Sequence, residues 1–472
     1  MSKARNAATA AVLTALLATA ACSLAPPYQP PATVAPPAYK EVAGWTAAAP
    51  ADATPRGAWW SMFADPVLDD LETRAEQASP TLAAALARYD AARALVSLTA
   101  SDQIPTVVAN TSAGRTRASA GRPLSNGSAV TYNAFSIGAT LDYELDLWGR
   151  VRNSVRADRA DAAASQADLA AVRLSLQASV ADAYFRLRGL DAQAALLHET
   201  VLAYERARDL TTTRHDGGIA SGLDVSRADN ILSAARAQIS ATANERAATE
   251  HEIAALTGAV ASSFAIAPLV RPLEPPPVAF GVPSQLVERR PDVAKAERRI
   301  AAANFRIGVA RAAYFPNISL GLGGGVEATS GSIFSSGAGF WALGPAQALL
   351  TLFDGGRRRA QVRISRAQYD EAAANYRSTV LTAFREAEDQ IAATRHLTAQ
   401  AADQLAAAQA AERTRELALV RYRDGASDYL DVVTAQTASL EAERAALAVQ
   451  TSRMQTAVSL VRALGGSYVP AA

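Results

Sequence analysis

Residues 214–226 read RHDGGIASGLDVS, and residues 421–433 read RYRDGASDYLDVV. Each begins with Arg, places a glycine four residues on (Gly218 and Gly425), and closes on Leu-Asp-Val. Each also interrupts a run that has almost no other break. Residues 150–214 hold no proline and one glycine, Gly189, and residues 357–424 hold neither. Stretches rich in Ala, Leu, Gln, Glu and Arg and free of breakers are helical. A stripe at Leu169, Val172, Leu176, Val180, Tyr184 and Leu187 keeps the helical spacing. About 65 residues at about 1.5 Å each reach roughly 100 Å, well beyond an ordinary globular helix. The glycine then reverses the chain into a second helix, 223–257 or 430–464, which ends at Gly258 or Gly465. Two helical hairpins are predicted, with the quoted stretches at their tips.

Outward from the tips, the similarity continues. A shift of 207 aligns 149–258 with 356–465 without a gap and pairs Asp182 with Asp389 and Gly258 with Gly465. A shift of 211 pairs Pro80 with Pro291 and Pro105 with Pro316. The chain therefore reads as two copies of a unit of about 185 residues. In each copy a helical segment ending at Ile-Pro or Phe-Pro precedes some forty residues rich in Gly, Ser, Thr and Asn. Within these, NAFSIGATLDYELDL (133–147) alternates: Phe135, Ile137, Ala139, Leu141, Tyr143, Leu145 and Leu147 against small or polar neighbours. That period of two predicts a strand with one apolar face. NISLGLGGGVEAT (317–329) alternates as well, whereas 114–131 and 330–339 read as loops between strands. FWALGPAQALLTLF (340–353) alternates poorly, and Pro345 predicts a bulge or bend.

Strands with an apolar outer face and a polar inner face fit a membrane barrel. Two per copy make four per chain, too few to close a barrel, and open edges are not tolerated in lipid. Several chains must pool their strands. Eight strands from a dimer or twelve from a trimer both satisfy this, and the sequence alone leaves them open. The strand-to-helix junctions, GRVRNSVRADR (149–159) and GGRRRAQVRISR (355–366), are basic. They read either as a solvated helical face or as arginines at an inner lipid surface.

The N-terminus carries Lys3 and Arg5 before a short apolar run, Ala7 to Ala21, which is a secretory signal rather than a membrane span. Residues 1–21 form that signal. Cys22, the only cysteine, follows it and is the expected lipid-attachment residue. The Pro-rich segment within 22–58 suits an extended tether, poor in fixed structure. Lys+Arg total 46 and Asp+Glu 45. This balance argues against a nucleic-acid partner. Both His-Glu pairs, at 198 and 251, lack a second His at the fifth place, and no GxSxG or P-loop occurs. No enzyme, metal or cofactor is expected.

Several stretches together resemble the TolC-like outer-membrane efflux proteins, in their NodT-type lipoprotein branch. They are CSLAPPYQPP, WWSMFADPVLDDLETRAEQASPTLAAALARYDAARA (59–94), YELDLWGRVR (143–152), ERRPDVAKAERRIAAAN (288–304), FDGGRRRA (353–360) and RYRDGASDYLDVVTAQ (421–436). They span residue 22 to Gly465. Small departures are Thr19 before the cysteine, Ser79 before Pro80, and Thr434 where many relatives are acidic.

The resemblance implies a mainly α fold with a membrane β-barrel: a homotrimer sharing a 12-stranded outer-membrane barrel, continued by a periplasmic α-helical barrel. It divides the chain into a first repeat at 59–258, with strands about 105–148 and a hairpin 149–258, a linker at 259–283, a second repeat at 284–465, with strands about 316–355 and a hairpin 356–465, and a tail at 466–472. It implies a passive exit duct for drugs or other small toxic compounds, lipid-anchored in the outer membrane. The duct would be docked by a periplasmic adaptor protein and an inner-membrane pump of the RND type. It points to Tyr422, Leu430 and Asp431 as gate residues, with Arg421 nearby and Asp224 in the matching first-copy place. Asp at the start of a helix is also a common cap, so capping competes with gating at Asp224 and Asp431. Type I protein secretion, and a structural periplasmic lipoprotein without a pore, are the alternatives.

Overall fold

The computed structural model describes residues 23–29, 57–121, 127–271, 273–276, 289–329 and 338–466. The chain is mainly helical. After a 3-10 turn at Trp59–Phe63 come α1 (Pro66–Ala78), α2 (Pro80–Ser101), β1 (Thr106–Ala118), β2 (Val130–Leu145), α3 (Arg150–Asp216) and α4 (Gly222–Leu256). The order then recurs as α5 (Pro291–Ala312), β3 (Asn317–Ala328), β4 (Gly339–Leu349), α6 (Arg357–Arg423) and α7 (Tyr429–Ala463). α3 and α6 have 67 residues each, and α4 and α7 have 35 each.

The chain divides into two compact units. One takes residues 88–166 and 295–377 with the N-terminal residues 23–29, and contains the sheet. Its four strands are antiparallel in the order β1-β2-β3-β4. β1 pairs with β2 from Thr106↔Asp142 to Ala118↔Val130, so residues 114–118, expected in a loop, are strand. The bulge expected around Pro345 is present: Leu320 pairs with Ala346 but Leu322 pairs with Leu343, leaving Gly344 and Pro345 opposite Gly321 alone. Proline has no N–H to give the ladder, and an extra residue on its strand absorbs the gap. Apolar side chains on the last strand and just after it stand uncovered, with Trp341 at 80%, Leu343 at 82% and Phe353 at 89% exposure.

The basic junctions are not free. Arg150 donates twice to Glu144, at 2.8 Å each. Asp146 accepts from the backbone N–H of Val151 and Arg152 and pairs with the Arg152 guanidinium at 3.2 Å. Asp354 plays the same part for α6, accepting from Gly356 and Arg358 N–H and from Arg358 Nε at 2.6 Å. A carboxylate at a helix N-terminus satisfies orphan donors and complements the helix dipole. Three arginines of these junctions, Arg150, Arg152 and Arg358, thus pair with carboxylates at the strand-to-helix turns.

Part of the Pro-rich N-terminal segment is docked instead of loose. Residues 23–29 lie against α5: Asn304 Nδ2 donates to Pro26 O at 2.8 Å, and Tyr28 Oη to Glu297 at 3.3 Å. A Cβ on Gly308 would sit 2.8 Å from Ala25 N, which explains a glycine there. Cys22, the signal and residues 30–56 of the tether lie outside the described residues.

The other unit takes residues 57–87, 167–294 and 378–466 of the described chain. Its core sets Trp59, Trp60, Phe63, Leu68, Leu71 and Ala75 against Val180, Tyr184, Phe185 and Leu187 of α3 and Met454, Val458 and Val461 of α7. Of the stripe expected on α3, Leu176, Val180, Tyr184 and Leu187 are buried, and Leu169 and Val172 are partly so. Asp65 caps α1, with Pro66 at its first position, and its second oxygen receives the Tyr184 hydroxyl and pairs with Arg271 at 2.9 Å. Arg188, only 3% exposed, bonds Tyr184 Oη, Asp191 and Ala267 O, and Arg246 closes on Asp191 at 2.7 Å. α3 and α4 run antiparallel, tied by Arg208–Asp229, Arg236–Glu205, Gln193–Thr242 and Arg186–Glu252.

Candidate functional site at the hairpin tips

Both reversals use the same backbone device. In the first, Gly218 has φ +77° and Ile219 N–H reaches back to Arg214 O at 2.8 Å, while Gly218 N–H bonds His215 O at 2.8 Å. In the second, Gly425 has φ +79°, Ala426 N–H bonds Arg421 O at 2.8 Å, and Gly425 N–H bonds Tyr422 O at 3.0 Å. These are two Schellman ends, in which a left-handed residue lets the last carbonyls find donors. The spacing Arg-x-x-x-Gly encodes them: the arginine is the residue whose carbonyl closes the wider ring.

The helix starts beyond the turns differ. Ser221 caps α4 and forms a capping box with Asp224, whose carboxylate accepts from Ser221 N–H at 3.2 Å and Ser221 Oγ at 2.8 Å. Asp224 also pairs with Arg227 at 3.5 Å, and its side chain is 19% exposed. At the second tip the cap is Asp428, which accepts from Asp431 N–H at 3.2 Å. Asp431 is exposed, and among the described residues its carboxylate has no hydrogen bond or ion pair. The two aspartates that align in sequence therefore do different work: Asp224 is a capping residue, and Asp431 is an unengaged charge. Leu430 beside it is 46% exposed.

Tyr422 is not at the surface. It is 4% exposed and packs with Tyr429, Val432 and Ala228. The two tyrosine rings meet edge-on, with centroids 5.2 Å apart at 60°. Burial pushes the Tyr429 phenol up to about 12, and the Asp224 and Asp229 carboxylates add to the rise. Arg214, from the first tip, stacks over the Tyr422 ring at 4.6 Å and donates from Nη1 to Tyr422 O at 2.6 Å and Arg423 O at 3.3 Å. A guanidinium at a helix C-terminus meets orphan carbonyls and the negative end of the dipole. Arg421 at the second tip is exposed and reaches only its own Ala426 O, at 3.3 Å. Tyr422, Asp224 and Arg214 thus lie where the two tips of one chain meet, while Leu430, Asp431 and Arg421 face outward. Sequence reasoning did not single out Arg214, Ser221, Asp428 or Tyr429. Arg214 was signalled by its alignment with Arg421.

No group of three or more His, Cys, Asp or Glu side chains suited to a metal ion occurs among the described residues. No helix among them is long and apolar enough to cross a membrane. The sequence pattern of the family described as outer membrane efflux protein matches residues 71–259 and 282–466. The chain belongs to that family. Among other outer membrane efflux proteins, it is 34% identical over 452 residues to outer membrane protein OprJ of Pseudomonas aeruginosa, covering 95% of this chain and 93% of the relative. It is 33% identical over 454 residues to the antibiotic efflux pump outer membrane protein ArpC of Pseudomonas putida, with the same coverage of 95% and 93%. The solved outer-membrane channel OprN superposes with a TM-score of 0.86 at 31% identity, covering 94% of this chain and 99% of that one. This chain is accordingly an outer-membrane protein of efflux transport.

Proposed function

We propose that the protein is the outer-membrane exit duct of a tripartite efflux pump for drugs or other small toxic compounds. It works as a homotrimer, with a periplasmic adaptor protein and an inner-membrane RND-type pump as its other partners. The observation that carries this reading is the four-stranded sheet. β1 and β4 are its outermost strands, and apolar side chains on and after β4 stand uncovered. Such edges invite pairing with other chains, and in lipid only closure satisfies them. Three copies give twelve strands and one wall.

The two halves, 59–258 and 284–465, act as copies of one unit, and the tips of their hairpins close the periplasmic end. Leu430 and Asp431 form the constriction, with three Asp431 carboxylates around the axis favouring cations. Asp224, Tyr422 and Arg421 hold the tips in the closed arrangement. Cys22 carries the lipid that anchors the chain to the outer membrane. Antibiotic efflux, named for the Pseudomonas putida relative, supports small-molecule cargo over protein secretion.

Two measurements test this. The full chain, purified in detergent, is expected to have the mass of three copies and to conduct ions in a planar bilayer; a single-chain mass without conductance overturns the duct. A deletion strain is expected to gain susceptibility to part of a panel of antibiotics, dyes and metals, and unchanged susceptibility to all of them counts against efflux.

A further inference from the structure

Residues 23–29 form a strap along α5 that runs toward the end of that helix at Ala312, shortly before β3. Tyr28 meets Glu297, Pro26 O accepts from Asn304, and Leu24 O accepts from Arg311 Nη1 at 3.3 Å. Ser23 is held at the start of α3, where its hydroxyl donates to Asn153 Oδ1 at 2.9 Å and accepts from Ala25 N–H at 3.4 Å. Asn153 belongs to the first turn of α3 and is 0% exposed. Its other amide atom, Nδ2, has no hydrogen-bond partner among the described residues. A Cβ on Gly308 would lie 2.7 Å from that nitrogen and 2.8 Å from Ala25 N. The nitrogen therefore stands beside the strap's backbone, over a glycine that leaves it room. A buried N–H without an acceptor is costly, and native structures hold few of them.

We infer that Asn153 Nδ2 is the donor for the carbonyl of an acyl amide on the α-nitrogen of Cys22, an assignment that rests on the lipid-anchor reading above. Ser23, one peptide bond from Cys22, already bonds the same side-chain amide. The surroundings select a neutral carbonyl over a free α-amine. Asn304 and Arg311 both donate to strap carbonyls. The first turn of α3, a helix of 67 residues, is the positive end of its dipole. An ammonium there meets donors and like charge, and Asn153 Oδ1 is already taken by Ser23. An acyl amide has lost that charge and brings the oxygen that the orphan N–H lacks. The seat thus reads N-acylation. The strap touches the first repeat at Asn153 and the second along α5, and it is fully seated only when the N-terminus has been acylated.

The test compares full-length proteins in detergent. The N-terminus is either the natural one or a free α-amine, made by Cys22→Ala behind a signal cleaved just before it. Each is prepared with Asn153 intact, with Asn153→Ala and with Asn153→Asp. Intact mass first establishes whether the natural N-terminus is acylated. Chymotrypsin cleavage after Tyr28 is then timed by release of residues 22–28, which requires the strap to leave α5. The readout is the free-amine rate divided by the acylated rate, since any effect of the lipid on the protease is common to all variants. Asn153→Ala is expected to lower this ratio about tenfold, the worth of one ordinary hydrogen bond. Asn153→Asp keeps the acceptor for Ser23 and trades the donor for a carboxylate that attracts the ammonium, so it lowers the ratio further. If the aspartate variant does not assemble, the alanine variant decides alone. A ratio that the substitutions leave unmoved or raise overturns the reader role while the anchor stands. A mass without acyl groups overturns the anchor reading and this assignment with it.

Discussion

Glu72 is a carboxyl placed where α1 should be apolar. Leu68, Leu71 and Ala75 make the buried stripe of that helix, and Glu72 lies in the same stripe at 0% exposure, with neither oxygen hydrogen-bonded. Burial pushes its pKa up to about 9, and the nearby Glu76 and Asp69 carboxylates push it the same way. In the unfolded chain the group titrates at 4.5. The proton it must keep on folding has a cost that grows with pH. Below 4.5 both states are protonated and nothing is lost; between 4.5 and about 9 stability falls steadily; above that the carboxylate is ionised in both states and the loss levels off. At about pH 7.5 the gap from 4.5 is 3 units, and at about 1.36 kcal/mol per unit the penalty is about 4 kcal/mol. Glu72→Leu, which completes the apolar stripe, is therefore expected to stabilise the protein at about pH 7.5, by an amount with that ceiling. Glu72→Gln keeps the shape and removes the titration but leaves an unpaired amide, so it recovers less. The assay is urea unfolding followed by tryptophan fluorescence, since Trp59 and Trp60 pack in the same cluster as α1. Wild type should lose stability between about pH 5 and pH 8, and the leucine variant should not. A leucine variant that is less stable than wild type at both pH values, or that keeps the wild-type slope, would show that Glu72 has a partner or a role that this burial argument misses.

Further outcomes follow from the tips and from the buried ion network. Asp431→Ala should raise single-channel conductance in planar bilayers and leave stability nearly unchanged, because its carboxylate bonds nothing among the described residues; unchanged conductance removes it from the gate. Asp224→Ala, which breaks the capping box, should cost about 1 kcal/mol in the unfolding midpoint, as should Asp428→Ala at the second tip. Gly425→Ala forces a side chain into φ +79° and should cost about 1 kcal/mol, seen as faster amide exchange at the end of α6. Arg188→Ala leaves Asp191, 3% exposed, short of one of its two arginines and should cost about 3–5 kcal/mol.

The helices were readable because their signals are local and long. A run free of proline from 150 to 214 leaves the backbone no other economical state, and Gly189 is tolerated because it faces Thr451, where a Cβ would lie 2.3 Å from Oγ1. Pro345 announced its bulge for the same local reason: a missing N–H must be absorbed somewhere on its own strand. β1 was harder. TVVANTSAGRTRA carries small and polar residues in no alternating order, and its strand state comes from pairing with β2, thirteen partners long, which no window of β1 alone contains. The docking of residues 23–29 on α5 was hidden likewise. Prolines favour an extended chain but do not say whether it is solvated, and the seat lies some 270–290 residues away, at Asn304, Arg311 and Gly308.

At the tips the repeat hides a difference by being so faithful. Leu-Asp-Val occurs in both, so Asp224 and Asp431 invite one reading. What separates them is a residue three positions earlier. Ser221 is a short cap whose hydroxyl and N–H both turn to Asp224, pulling that carboxylate out of circulation. Asp428 in the equivalent place is itself an anion. It caps the helix with its own oxygen, and a second carboxylate three residues on has a like charge to avoid. The same logic separates the arginines. Arg214 finds Tyr422, a broad ring beside open carbonyls, whereas Arg421 reaches only its own Ala426 O. Of the positions that differ between the two tips, Ser221/Asp428 leaves the carboxylate of the second repeat freer, and His215/Tyr422 and Gly222/Tyr429 give the contact between the tips its edge-on pair of rings.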